Sequence, residues 1–424
     1  MTLFLLGAFT VFFLLGWPVV LAVLIPAIVY VLWNGFPIEL IGQRMAYALD
    51  SFPLVAVPVF IFVGNLMNQS GITEVIYRFA TTLVSRIHGG LAQVNIVGSL
   101  IFSGMSGAAL ADIGGLGRIE VKAMTSHGFK REFAGALTCA SAIVGPIFPP
   151  SIPLIIYGSA TNVSIIQLLL AGIVPALICV AFLMITVGLL AWLRKFPRAS
   201  RWPTLRELWA DFVPAFPALM TPFLLVTGML VGLFTPTEAA SVTVVYVIFI
   251  SAVVYRTLTW QHLVHSAFET LKSTSAILII VAAAALFGWI MAIEQIPQTL
   301  ARNLLSLSTD PLMLLLIVNL ILLIAGMFLD STTATLLIIP IIAPPLHLAG
   351  VDPVHLGIVA IFNLMLGLLT PPMGLALFLI SDIAQVSMRA VLKELLPFYP
   401  PLLATLAMIT LFPELSLWIP KMIR

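Results

Sequence analysis

Long apolar runs separated by short polar segments extend along almost the whole chain. A helix needs ~20 apolar residues to cross a bilayer, and about ten runs approach or exceed that length. We predict spanning helices over residues 3–16, 19–33, 52–67, 133–157, 168–193, 212–234, 239–255, 275–293, 356–380 and 396–411. Two stretches that mix charged and apolar residues, 38–49 and 261–271, are typical of helices lying in the membrane interface. The pattern predicts an all-α polytopic membrane protein.

Two further apolar regions carry small or polar residues at their middle. Residues 91–116 are interrupted at 103–107, and residues 312–348 are interrupted at 330–333. The halves of these regions have about 9–18 residues, which is short for a spanning helix. We interpret both regions as re-entrant helical hairpins, because non-helical backbone at membrane depth must be covered by protein or line a watery cavity.

The second half of the chain repeats landmarks of the first half. A shift of 222 residues places Gly104 on Gly326 and the prolines at 149–150 on those at 371–372. These landmarks recur in the same order, each time beside a hairpin, which indicates two structural repeats. We assign residues 1–193 to the first repeat, 194–211 to a linker and 212–424 to the second repeat.

Basic residues indicate how the repeats are oriented. Residues 117–132, which follow the first hairpin, contain four Lys or Arg residues, whereas the equivalent residues 339–354 contain none. Because basic loops stay on the cytoplasmic side, the two equivalent segments should lie on opposite faces. The repeats would then be inverted, as in many secondary transporters, with the linker 194–211 in the cytoplasm.

The composition agrees with a membrane protein and excludes several other classes. Apolar residues make up 61% of the 424 residues and charged residues 8%, against about 25% charged in soluble domains. So few charges cannot cover a water-facing surface, which excludes a soluble enzyme. The formal net charge of +2 offers no excess positive charge to attract nucleic acid. Cys139 and Cys179 lie in apolar runs and are expected to be buried thiols.

Two predicted spans contain closely spaced glycines and prolines. Residues 145–153 interrupt the span 133–157, and residues 367–374 interrupt the span 356–380. Proline removes a backbone donor and clashes with the preceding turn, so both helices should unwind near the membrane midplane. Unwound carbonyl groups can coordinate a small cation, and half-helix N-termini can attract an anion. The two breaks are therefore a candidate binding region, with a purely structural kink as the alternative.

Ionisable residues inside the apolar regions are few. Asp112 lies in the second arm of the first hairpin, Asp330 at the break of the second, and Asp382 near a helix end where it should reach water. Intramembrane acids often mark functional sites, although Asp112 could be structural and Asp330 could cap a helix. The histidines at 262, 265, 347 and 355 are expected to be solvated. No Lys or Arg lies in a predicted apolar core, so an anion would be held by helix N-termini, hydroxyls and backbone N–H groups.

Four stretches resemble the large membrane subunit of tripartite ATP-independent periplasmic (TRAP) transporters, and the likeness covers essentially the whole chain. They are VPVFIFVGNLM at 57–67, SGMSGAALAD at 103–112, GLFTPTEAA at 232–240 and NLMLGLLTPPMG at 363–374. The third stretch is highly specific, and the fourth nearly as specific. The resemblance implies a multi-pass protein of the bacterial inner membrane and an elevator mechanism, in which a hairpin-bearing transport domain slides against a scaffold.

The same resemblance implies sodium-coupled uptake of an organic acid: a C4-dicarboxylate, sialic acid, another sugar acid or a keto acid. It implies two protein partners, a periplasmic substrate-binding protein that delivers the acid and a small four-helix membrane subunit. The chain lacks the four helices of that subunit and is expected to be the unfused form.

Site residues implied by the resemblance lie at the hairpin tips and the adjacent breaks. The first Na⁺ site would use Ser103, Ser106, Gly145, Phe148 and Pro150. The second would use Gly326, Thr370 and Met373, with Asp330 as a further candidate. For the substrate we predict Ser106, Gly107, Asp330, Ser331 and Thr332.

Two alternatives differ in class. A stand-alone cation-coupled carboxylate transporter or antiporter of similar hairpin architecture would need no binding protein, but the stretch at 232–238 argues against it. A membrane-embedded transferase or protease would need a paired-acid metal site or a nucleophile with its base, and the sequence offers neither pattern. We therefore predict a transporter and no enzymatic activity.

Overall fold

The computed structural model describes residues 2–196, 203–308 and 310–422, and this part of the chain forms helices and turns without strands. A helix satisfies its own backbone hydrogen bonds, as a bilayer demands of any segment that crosses it. The helices of the first half are α1 (Thr2–Leu14), α2 (Val19–Trp33), α3 (Glu39–Leu49), α4 (Ala56–Gln69), α5 (Ile72–Val84), α6 (Leu91–Ser106), α7 (Ala109–Gly114), α8 (Leu116–Ser126), α9 (Arg131–Ala142), α10 (Ile152–Thr161), α11 (Ile165–Ala171) and α12 (Ile173–Arg194).

The second half begins within the predicted linker. Residues 197–202 of that linker lie outside the described part, and residues 205–211 are already helical. The helices of this half are α13 (Leu205–Leu230), α14 (Pro236–Phe249), α15 (Trp260–Ile293), α16 (Ile296–Leu307), α17 (Pro311–Phe328), α18 (Ser331–Leu348), α19 (Pro353–Leu368), α20 (Leu375–Ala384), α21 (Met388–Leu395), α22 (Tyr399–Leu411) and α23 (Glu414–Met422).

The prediction of an all-α polytopic membrane protein is confirmed. Eight helical stretches in the described part are long and apolar enough to cross a membrane. Two of them are α17 and α18, the arms of the second hairpin, which have 18 residues each. The arms extend this far because no helix-breaking residue stands between Pro311 and the polar pair at 330–331, and α18 tolerates its internal prolines.

The prediction of a separate interfacial helix at 261–271 is wrong. These residues are the first turns of α15, a continuous helix of 34 residues. Thr259 starts it by accepting a hydrogen bond from the His262 N–H at 3.2 Å, and no glycine or proline follows before Gly288. A helix without a breaking residue continues, so the polar start and the apolar end form one element. Residues 38–49 do form a separate short helix, α3.

The segment 117–132 is mostly helix rather than loop. After a bend at Gly115, α8 continues the second arm of the first hairpin to Ser126. Leu116, Glu120 and Met124 recur every four residues and bury one face of α8. The hairpin therefore extends beyond residue 116. The equivalent residues 339–348 are also helical, as the end of α18. The two equivalent segments that differ in basic residues are therefore largely the ends of helices. The inverted orientation that this difference indicates stays a prediction.

Each broken helix packs against the hairpin of its own half. α9 lies against α6, and α19 lies against α17. Non-helical segments separate α9 from α10 and α19 from α20, within the two spans where the prolines predict an interruption. α10 also contacts α18. Both hairpins and both breaks therefore meet in one region.

The stretch at 232–240 is a helix start. Gly232 ends α13 with a φ of +73°, a conformation that glycine adopts readily. Thr235 accepts a hydrogen bond from the Glu238 N–H at 3.3 Å, and Glu238 accepts one from the Thr235 N–H at 2.8 Å. Pro236 occupies the first turn, where its missing N–H costs nothing. This reciprocal cap fixes where α14 begins, so the motif has a structural explanation.

Candidate functional site

Helices α6, α7 and α8 together form hairpin 1. Its tip contains three polar side chains. Ser106 donates a hydrogen bond to Asp112 Oδ1, and Ser103 donates one to Asp112 Oδ2 at 3.3 Å. Gly107 ends α6 with a φ of +63°, which lets the chain reverse and brings Asp112 back to the serines. All three side chains are buried, with Asp112 only 2% exposed. The tip thus presents hydroxyl and carboxylate oxygens in a protected position.

The first break lies directly against this tip. A Cβ atom on Gly145 would be 2.7 Å from Asp112 Oδ2 and 3.2 Å from Ser103 Oγ. Only glycine leaves room for this approach. The Ile152 N–H, at the start of α10, donates a hydrogen bond to the Gly107 carbonyl at 3.2 Å. The break and the tip are therefore one packed unit.

The second half builds a similar junction between α19 and hairpin 2, by which we mean α17 and α18. A Cβ atom on Gly367 would lie 2.6 Å from the Gly326 Cα, so the two backbones touch. The Gly374 N–H, after the break, donates a hydrogen bond to the Met327 carbonyl at 3.2 Å. Gly374 follows Ile152 by the same 222 residues that relate the sequence landmarks. The two donors are thus related by the sequence repeat, whereas the acceptors, Gly107 and Met327, lie 220 residues apart.

The six carbonyl groups predicted for Na⁺ accept no backbone hydrogen bond within the described part of the chain, and neither do neighbours in the same breaks such as those of Pro149 and Pro371. The six predicted groups belong to Gly145, Phe148 and Pro150 in the first half and to Gly326, Thr370 and Met373 in the second. Gly145, Pro150 and Gly326 are buried residues, where a carbonyl without a partner is unfavourable and has capacity for a ligand. Carbonyl, hydroxyl and carboxylate oxygens are the donors that suit a hard cation such as Na⁺. The residues present therefore fit the ion that the resemblance implies.

Apart from the further candidate Asp330, Thr370 and Met373 are the two residues of the predicted second site that carry side chains. Thr370 Oγ1 donates to the Leu366 carbonyl at 2.8 Å, one turn back in its own helix. The Met373 residue is 39% exposed. The Thr370 hydroxyl hydrogen is therefore used within its own helix, while its oxygen still has lone pairs for a ligand.

Asp330 caps α18. Its Oδ2 accepts hydrogen bonds from the Thr332 N–H at 3.0 Å and the Thr333 N–H at 3.2 Å, and its Oδ1 accepts one from the Thr333 hydroxyl. The capping alternative therefore describes its geometry. The carboxylate also occupies the donors with which this helix start could have held an anion.

A cavity of about 430 Å³ lies between the two hairpin tips. Ser106, Asp330, Ser331 and Thr332 line it, whereas Gly107 packs against the Pro150 carbonyl and is not part of the lining. No lysine, arginine or histidine lines the described cavity. Four of the five residues predicted for the substrate thus share one cavity, and a bound anion there would meet neutral donors beside the Asp330 carboxylate.

The sequence analysis missed three polar residues of the lining. Asn65 and Asn68 come from α4, and Ser273 comes from α15. Asn65 also donates a hydrogen bond to Thr270 of α15 at 3.1 Å, which joins the two helices beside the cavity. A signal for the asparagines was present, because residues three apart share one helix face. These residues place helices from outside the hairpins along one wall of the cavity.

Burial differs from the expectation for one histidine. His355 is 1% exposed and not solvated, because α19 begins at Pro353 and places this residue in the first turn of a buried helix. His265 is exposed, as expected. Cys139 and Cys179 are buried free thiols, as expected. Asp382 is exposed near the end of α20, which agrees with its expected contact with water.

Comparison with known proteins places the chain in a family. The model of the family described as "Tripartite ATP-independent periplasmic transporter, DctM component" matches residues 6–415. The chain belongs to this family. The sialic acid TRAP transporter large permease protein SiaM of Vibrio cholerae is 44% identical over 411 residues, covering 96% of this chain and 95% of that protein. The C4-dicarboxylate TRAP transporter large permease protein DctM of Pseudomonas aeruginosa is 33% identical, covering 93% and 92%.

A solved structure agrees in fold alone. The YdaH transporter of Alcanivorax borkumensis, whose structure is described as having an unusual topology, matches with a TM-score of 0.58 and 14% identity, over 90% of this chain and 88% of that one. The family match and the relatives confirm the resemblance to the TRAP large subunit. The chain is a multi-pass subunit of a TRAP-type secondary transporter.

Proposed function

We propose that this TRAP subunit carries an organic acid into the cell together with Na⁺. The observation that supports the proposal is that both breaks leave backbone carbonyl groups without a backbone partner, including the three predicted for Na⁺ at each junction. Two such sets next to one cavity suit a transporter that binds a cation on each side of its substrate.

The first cation site would combine the carbonyls of Gly145, Phe148 and Pro150 with Ser103 and Ser106. We add Asp112, which the sequence analysis left open between structure and function. Its carboxylate touches both serines and the Gly145 backbone, and no Lys, Arg or His of the described part hydrogen-bonds to it. A bound cation would supply the charge partner that a buried carboxylate needs.

The substrate would bind in the cavity between the hairpin tips. We propose sialic acid as the first candidate because the relative with 44% identity is named for it, with a C4-dicarboxylate next. The lining offers the hydroxyls of Ser331 and Thr332 and the amides of Asn65 and Asn68. Neutral donors of this kind suit an acid that also carries hydroxyl or amide groups.

Two partner proteins belong to the proposal. A cavity without a cationic side chain should hold a free acid weakly, near the millimolar range that corresponds to about −4 kcal/mol. A periplasmic substrate-binding protein would therefore supply capture and selectivity. A small four-helix membrane subunit and the lipid of the bacterial inner membrane would surround the chain.

We also propose an elevator motion. The moving transport domain would contain both hairpins with α9, α10, α19 and α20, and the scaffold would include α4, α5 and α13 to α15. The cavity lies where these two groups of helices meet, so sliding one past the other would carry its contents.

The test is uptake by liposomes containing this chain and its small partner. With the binding protein outside, a Na⁺ gradient should drive accumulation of micromolar labelled sialic acid, and replacing Na⁺ by K⁺ should abolish it. Equal uptake in K⁺ would contradict sodium coupling. Strong uptake without the binding protein would contradict the tripartite arrangement and favour a stand-alone carboxylate transporter.

A further inference from the structure

A second buried carboxyl group lies in hairpin 1, away from the cavity. Glu120 of α8 is 1% exposed. Its Oε2 accepts hydrogen bonds from Asn95 Nδ2 at 2.8 Å and from the Thr138 hydroxyl at 3.3 Å. Ser99 Oγ lies 3.5 Å from Oε1. The carboxyl therefore joins both arms of the hairpin to α9, the first half of the broken helix.

The serine hydroxyl groups of this cluster donate their hydrogens mainly to acceptors other than Glu120 Oε1. Ser141 donates to Asn95 Oδ1 at 2.8 Å. The Ser99 hydroxyl lies 2.9 Å from Ser141 Oγ, a much better acceptor distance than the 3.5 Å to Glu120 Oε1. When Ser99 donates to Ser141, Glu120 Oε1 has no donor among the described residues. A proton on Oε1 would reverse this contact, because the acid could then donate to Ser99.

The charge environment does not favour an ionised Glu120. None of its hydrogen-bond partners carries a charge, so no cation offsets the cost of burying a carboxylate. The titratable groups that act on it from packed helices are Tyr77 of α5 and Asp112 of α7, and Asp112 is itself acidic. The cationic side chains nearest in sequence, Arg118 and Lys122, are exposed and line a separate surface cleft.

We propose that Glu120 is a proton-binding site: it is held as the neutral carboxylic acid, and its proton completes the hydrogen-bonded cluster that fastens hairpin 1 to α9. The cluster residues are absent from the lining of the substrate cavity. The proton is therefore resident in the folded domain and is not exchanged with the substrate or the coupling ion.

Infrared spectroscopy of the purified full-length chain tests the protonation state directly. The spectrum of the wild type minus that of Glu120→Gln, at neutral pH, should contain the carbonyl stretching band of a protonated carboxylic acid, and the band should move to lower frequency in D₂O. Glu269→Gln, which changes an exposed glutamate of α15, should not remove the band. A difference spectrum that contains only carboxylate bands would overturn the proposal.

Thermal unfolding gives a second readout that does not depend on transport. The unfolded chain releases this proton above the ordinary pKa of glutamic acid, about 4.3, whereas the folded state keeps it. As the pH rises above that value, the wild type should therefore lose melting temperature faster than Glu120→Gln, until the folded state also releases the proton. Glu269→Gln should follow the wild type. Parallel pH profiles of the wild type and Glu120→Gln would overturn the proposal. If Glu120→Gln does not fold, wild-type protein with ¹³C-labelled glutamate gives the infrared test, and absence of a protonated glutamic acid band overturns it.

Discussion

At the scale of single residues, Asp112 decides how the first junction could bind a cation. Asp112→Asn keeps the size and hydrogen-bonding capacity of the side chain but removes its charge. We expect the Na⁺ concentration for half-maximal uptake to rise at least about tenfold, since a loss of ~1.4 kcal/mol corresponds to that factor. Asp382→Asn, at an exposed position of α20, is the matched control. An unchanged Na⁺ dependence in well-expressed Asp112→Asn protein would remove Asp112 from the site.

Thr370 permits a similar test at the second junction. Its hydroxyl holds the Leu366 carbonyl and so orients the backbone from which the cation would take its ligands. Thr370→Ala should raise the Na⁺ requirement about two- to tenfold, in line with the ~0.5–1.5 kcal/mol of one hydrogen bond. Thr405→Ala removes an equivalent bond, to the Pro401 carbonyl, outside the site and should leave Na⁺ dependence unchanged. The same shift in both variants would point to a general loss of stability.

The role of a single residue can be inferred from the sequence only where the neighbouring residues show what surrounds it. Asp112 stands out because it is an acid within an apolar stretch. Glu120 does not, because neighbouring basic residues make 117–132 look like a polar loop. Its burial follows from the four-residue spacing of Leu116, Glu120 and Met124, a periodicity that requires the helix to be recognised first. Asp330 is ambiguous for another reason: the same carboxylate can cap a helix or bind a ligand, and only its distance to the Thr332 N–H decides.

At the scale of elements, breaking residues were more informative than charge. Prolines and glycines mark both interrupted spans, because their effect on the backbone is local. The charged residues at 261–271 suggested an interfacial helix, yet helices end at breaking residues and caps rather than at polar positions. The length of α15 therefore follows from the absence of a break before Gly288.

The cap of α18 leads to a prediction about hairpin 2. Asp330→Ala removes the acceptor for two backbone N–H groups and should destabilise the protein by ~1 kcal/mol, seen as a lower melting temperature. Asp330→Asn preserves an N-cap acceptor and should melt close to the wild type. Asp352→Ala, which removes the cap of α19, serves as a comparison. If Asp330→Asn and Asp330→Ala are equally destabilised, charge rather than capping is the contribution of Asp330.

At the scale of the whole molecule, the inverted repeat predicts the sidedness of two related helix ends. Ser126 ends α8, and Leu348 ends α18 exactly 222 residues later; both are exposed. Cysteines introduced singly at these positions should react with a membrane-impermeant thiol reagent from opposite faces, Leu348→Cys in intact spheroplasts and Ser126→Cys only after permeabilisation. The native Cys139 and Cys179 are buried, so the background should be low. Labelling of both positions from the same face would reject the inverted orientation.

Sliding of the transport domain can be tested by locking it to the scaffold. Ser51, which precedes α4, and Ser159 of α10 have their hydroxyl oxygens 3.0 Å apart, so the double variant Ser51→Cys with Ser159→Cys places two thiols within reach of a disulfide. Oxidation should then abolish sodium-driven uptake, and reduction should restore it, because the disulfide would join the two groups of helices. Thr82→Cys with Asp211→Cys joins α5 to α13 at a similar contact but inside the scaffold, and should transport in either redox state. Full uptake by the oxidised Ser51/Ser159 double variant would rule out relative motion at this contact and with it the elevator in the form proposed.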